Sequence, residues 1–170
     1  MTEPGYLTEL RRLDAEIAAA PWRVETAESG QPRIAYNAQG FWERTEIGLL
    51  LSEGDVDLSW FELIVDIRNV VHDVLDSGAS GGDVADQLMR LDAMATALQP
   101  GRWTSVIEGR DVWGADSVIA IGSETVWDEE LYVRVTPWIG DRDRLLKVED
   151  FLALARTRLP DLAARIRARL

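Results

Sequence analysis

Leu10-Arg11-Arg12-Leu13-Asp14-Ala15 returns as Leu88-Met89-Arg90-Leu91-Asp92-Ala93, and the fold reading turns on this pair of hexapeptides. Internal repeats take precedence in reading a chain, because a missed repeat misplaces every element. Downstream of each copy come a proline and then a tryptophan opening a strand-like run. The first is Pro21-Trp22-Arg23-Val24 and the second Pro100-Gly101-Arg102-Trp103-Thr104-Ser105-Val106. A closing helix follows: Ile67-Arg68-Asn69-Val70-Val71-His72-Asp73-Val74 stands where Ala155-Arg156-Thr157-Arg158-Leu159-Pro160-Asp161-Leu162 stands later. The offset between matched positions grows from 78 to 81 to 88 residues, which places insertions in the middle of the second copy. Amphipathic helix composition alone can mimic one such match. Three matches in the same order argue for duplication.

Apolar periodicity fills in the elements. Leu7, Leu10, Leu13 and Ile17 keep helical spacing over Tyr6 to Ala19, and Pro21 ends that segment because the residue before a proline leaves the helical region. Strands are expected over 22–26, 33–37 and 46–51, then a helix capped by Asp57 or Ser59 and running to about Leu75. In the second half the reading is a helix over 84–98, strands over 103–108, 117–122 and 131–138, and a helix from near Val148 interrupted before Pro160. The expected fold is α+β: two tandem helix–antiparallel sheet–helix repeats related by a pseudo-twofold and packed as one compact unit. Residues 1–77 form the first repeat, 83–170 the second, and the small residues of 78–82 a Gly/Ser linker.

The repeat unit resembles small actinobacterial and phage proteins grouped with the Ead-like accessory phage proteins. The residues that carry the resemblance are Pro21-Trp22, Pro100-Gly101-Arg102-Trp103, Phe151 and Ala155-Arg156-Thr157-Arg158-Leu159-Pro160-Asp161-Leu162. The first half departs from it where His72 replaces the closing proline. The resemblance implies phage or prophage origin and an accessory role, and it brings no catalytic residues.

Charge and composition narrow the function classes. Thirty acids against eighteen bases give a net charge of −12. Residues 1–80 carry fifteen acids and six bases (−9), and residues 81–170 fifteen and twelve (−3). Such a field repels nucleic-acid phosphates and anionic membranes, so neither direct nucleic-acid binding nor membrane association is expected. The chain has no cysteine, which removes disulfides, thiol nucleophiles and cysteine-ligated metals. The polar start Thr2-Glu3-Pro4-Gly5 does not read as a secretory leader, and the expected location is the cytoplasm.

The catalytic repertoire is thin. His72 is the only histidine, set between Val71 and Asp73, with Asp76 one turn later as its candidate orienting partner. Asp128-Glu129-Glu130 and the acids at Asp141, Asp143, Glu149 and Asp150 read as solvated turn and helix-start carboxylates, since arginines interrupt any alternating calcium-loop pattern. No cofactor or metal is expected. What stands out is seven tryptophans. Trp22 and Trp103 read as core anchors and Trp60 as a staple or core residue. Phe41, Trp42, Glu43, Glu46 and Trp127 are the candidate protein-binding residues, aromatics beside acids in loops or at strand ends. The reading is a non-catalytic accessory protein that binds another protein. Two alternatives stay open: an acidic nucleic-acid-mimicking inhibitor of a host defence or DNA-binding factor, and a carboxylate-dependent hydrolase.

Overall fold

Ser117-Val118-Ile119-Ala120-Ile121-Gly122 is a run of β-branched and small residues with no charge, and it forms a strand in which all six residues are buried. The computed structural model describes residues 4–17, 20–36, 45–76, 78–107, 117–123, 125–136 and 142–170. In chain order the elements are α1 (Gly5–Glu16), β1 (Arg23–Thr26), β2 (Pro32–Tyr36), β3 (Thr45–Leu51), α2 (Leu58–Asp76), α3 (Gly82–Leu98), β4 (Arg102–Ile107), β5 (Ser117–Gly122), β6 (Trp127–Thr136) and α4 (Arg142–Arg167).

The six strands make one open antiparallel sheet in the order β1-β2-β3-β6-β5-β4. Its centre is the pair β3–β6, in register from Glu46 opposite Thr136 to Leu51 opposite Leu131. Residues opposite each other share a face. Ile34 with Ile47, Leu51 with Leu131, Leu131 with Ile119, and Ile121 with Trp103 therefore line one side, and all are buried. Helices α2 and α4 pack on the strands, while α1 and α3 pack on those two helices. The three- and four-residue spacing of Leu7, Leu10 and Leu13 on α1, and of Ala85, Leu88, Leu91 and Ala95 on α3, buries one stripe of each.

Several sequence expectations meet corrections. α1 stops at Glu16, and Ile17 is already extended, so the helix does not reach Ala19 or wait for Pro21. β6 starts at Trp127 rather than at residue 131. α4 begins at Arg142, and Pro160 lies inside it without ending it. A proline removes one helical hydrogen bond. Here Leu159, Leu162 and Ala163 on either side of it are buried against the core, and that packing carries the helix through. Glu149 is accordingly a mid-helix residue with no solvent exposure rather than part of a first turn.

Matching polar contacts tie the helices together in each half. Arg68 on α2 is fully buried and bonds Asp14 on α1, and Arg156 on α4 bonds Asp92 on α3 at 2.6 Å. One position further on, Asn69 accepts from the Trp22 N–H at 2.7 Å and donates to the Trp22 carbonyl at 2.8 Å. Thr157 donates its hydroxyl to the Trp103 carbonyl at 3.2 Å. His72 lies 3.0 and 3.1 Å from the two Asp14 oxygens, so its partner is Asp14 rather than Asp76.

Candidate protein-binding site

Trp22, Trp60 and Trp103 are buried, and Trp60 stacks on Trp103 with ring centroids 6.1 Å apart. Trp127 is different: it is 47% exposed, beside Val126 at 59%. Phe41, Trp42 and Glu43 lie outside the described residues. The backbone of Glu46 pairs with Thr136 near the start of β3, well along the strand from Trp127. Trp127 is therefore the candidate that the structure places on the surface.

The turn between β5 and β6 sets how Val126 and Trp127 are shown. Ser123 N–H donates to the Val126 carbonyl at 2.9 Å, and the Val126 N–H donates to the Ser123 hydroxyl at 3.1 Å. The register slips between Ile121 and Gly122, an irregularity that re-aims side chains at a sheet end. Only glycine fits at 122, because a Cβ there would stand 2.3 Å from the Val126 carbonyl oxygen and 2.9 Å from the Trp127 Cα. Gly101 crosses the same spot with φ +130°, and a Cβ on it would meet the Gly122 nitrogen at 2.8 Å.

Two residues after Trp127, Glu129 anchors the base of the site. Its carboxylate is buried, which the expectation of solvated turn acids did not anticipate. One oxygen accepts from the Ser52 hydroxyl, from Ser52 N–H at 2.8 Å, and from the Glu53 and Glu130 N–H groups at 3.1 Å. Burial pushes the Glu129 carboxyl up, but these donors outweigh it and hold the group below its ordinary value. The network ties the loop before α2 to β6, and the Ser52 N–H also donates to the Glu130 carbonyl at 3.0 Å. Tyr132 adds a hydroxyl bond to Glu130 at 2.8 Å. The exposed acids Glu53, Asp55 and Asp128 lie on these same segments.

A carboxyl held below its unfolded value stabilises the fold above the ordinary carboxylate range, and that contribution is lost as pH falls through the lowered folded-state value. Glu129→Gln keeps an acceptor oxygen and removes the charge. It should lower stability by about 1–2 kcal/mol at neutral pH, the scale of a hydrogen bond to a charged group. In urea titrations the two proteins should converge in acid, where Glu129 is protonated. A gap that stays constant with pH would show that the charge at Glu129 contributes nothing.

Among the described residues there is no cluster of three or more metal-ligating side chains, and no helix is long and apolar enough to cross a membrane. Comparison with known protein families, curated proteins and solved structures finds no match to this chain.

Proposed function

We propose that the chain is a non-catalytic accessory protein that captures another protein through Val126 and Trp127, with Glu53, Asp55 and Asp128 as an acidic rim. The exposure of Trp127, when Trp22, Trp60 and Trp103 are all buried, is the observation that carries this reading. A large aromatic gives much contact area for little conformational entropy, and an apolar centre inside a charged rim is how binding surfaces are composed. The Gly122 turn and the Glu129 network fix the display in advance, which lowers the ordering cost of binding. The fitting partner has an apolar pocket edged by lysine or arginine.

The same reading takes the two halves as duplicated copies about a pseudo-twofold between β3 and β6. The paired Asp14–Arg68 and Asp92–Arg156 bridges support it, as do the matching bonds of Asn69 to Trp22 and of Thr157 to Trp103. The phage-type accessory role rests on the sequence resemblance alone.

Trp127→Ala is the test. Immobilised wild-type chain should retain a bacterial protein that the variant releases, while the variant's stability stays within about 0.5 kcal/mol, as for other surface substitutions. A variant that captures the same protein equally well would remove Trp127 from the interface. Steep loss of capture with rising salt would favour the acidic mimic instead, because contacts carried by charge are screened.

A further inference from the structure

The two edges of the sheet, β1 and β4, differ at their tryptophans, Trp22 and Trp103. Side-chain direction and peptide direction alternate together along a strand, so residues sharing a face turn their N–H and C=O to the same lateral side. Trp22 is buried under the helices and turns both groups outward, where the Asn69 carboxamide meets them as a backbone amide would. On β4 the helix-facing residues are Trp103 and Ser105, opposite Ile121 and Ile119, and their peptide groups point away from β5. Of these groups only the Trp103 carbonyl has a partner, the Thr157 hydroxyl. The Trp103 N–H and both groups of Ser105 have none among the described residues.

A groove of about 200 Å³ runs between this open edge and α4, with Ala153 and Leu154 on its wall. Asp150 stands at one end and Arg158 at the other, with Leu154 midway in sequence. Eight helical residues separate the two charges by about 12 Å. Asp150 has no ion-pair partner among the described residues, whereas Arg158, over the Tyr6 ring, bonds Asp161 at 2.8 Å in an exposed pair of the kind that contributes little and can be exchanged. A twofold axis through Leu154 sets Asp150 opposite the partner subunit's Arg158 and runs one β4 antiparallel to the other. This is self-complementarity of the isologous kind. The interface also falls in the half that carries −3 rather than −9, where repulsion between copies is weakest.

We propose that the β4 edge and its α4 groove bind a second copy of this chain, joining the two six-stranded sheets into one continuous sheet across a homodimer. The inference is independent of the partner reading at Trp127, which lies on another strand.

Sedimentation equilibrium on the full chain at high micromolar concentration tests it. The wild type should sediment as a dimer. Ser105→Pro removes an outward N–H that the β4–β5 ladder does not use, so the variant should become monomeric with unchanged circular dichroism. Asp150→Arg should weaken the dimer by about tenfold or more, and Asp150→Arg with Arg158→Asp should restore it. A monomeric wild type overturns the proposal, including one that takes up an extended foreign peptide on β4. A folded Ser105→Pro that remains dimeric overturns it as well. Should Ser105→Pro fail to fold, association that ignores both Asp150 variants has the same force.

Discussion

Asp14→Ala should cost about 3–5 kcal/mol, the scale for removing one partner of a buried ion pair. Arg68 has no solvent exposure, and its guanidinium lies over the Trp22 and Phe151 rings at 5.6 and 5.0 Å. Burial works against the charged form, and Asp14 offsets part of that cost. An arginine does not escape by losing its proton, so without Asp14 a full charge stays in the core. A domain of this size is stable by about 5–15 kcal/mol in total, so the variant should sit near the edge of folding at room temperature. Asp14→Asn, which keeps an acceptor, should fall between variant and wild type. Asp14→Leu with Arg68→Met should recover most of the loss, because a well-packed apolar pair replaces a buried ion pair at little cost. Urea midpoints for the four proteins decide the matter. A loss under about 1 kcal/mol for Asp14→Ala, within the range of ordinary surface changes, would show that Arg68 draws its compensation elsewhere.

The second large effect belongs to Trp103. Truncating a buried large aromatic to alanine removes its transfer energy and leaves a cavity, together about 3–5 kcal/mol. Trp103 is almost wholly buried and stacks on Trp60 at 24° between planes, so Trp103→Ala strips contact from β4 and from the start of α2. The Trp103 indole N–H has no hydrogen-bond partner among the described residues. Trp103→Phe should therefore be much milder, since it gives up volume and no polar contact. Thermal melts in which Trp103→Ala behaves like Trp127→Ala would refute the assignment of Trp103 to the core.

Strands with strong apolar patterning were legible in the sequence, and β5 matches its expected span of 117–122 to the residue. Where charge and burial disagree, the sequence misleads. Trp127-Asp128-Glu129-Glu130 reads as an acidic turn, yet it opens β6, because the donors that make Glu129 burial tolerable come from Ser52 and Glu53 in another element. No local pattern announces a partner 77 residues away. The start of α4 is hidden for a similar reason: Arg142-Asp143-Arg144 is polar, and Pro160 argues for a break that packing overrides. The Asp14–Arg68 pair was half visible, since both residues fall within matched segments, but their meeting needed the fold. Of the candidate binding residues, Trp127 is exposed as a surface reading requires, although its loop-like setting among acids is the start of a strand.

Asn69 covers the opening of one sheet rim. A sheet with two reactive rims grows like a polymer, each addition exposing a fresh rim, and fibres result. Here the carboxamide of one side chain stands in for the first peptide group that a neighbour would bring to β1, and β1 itself is only four residues long. β1 therefore offers a neighbour only a short and partly covered rim, which discourages growth from that side.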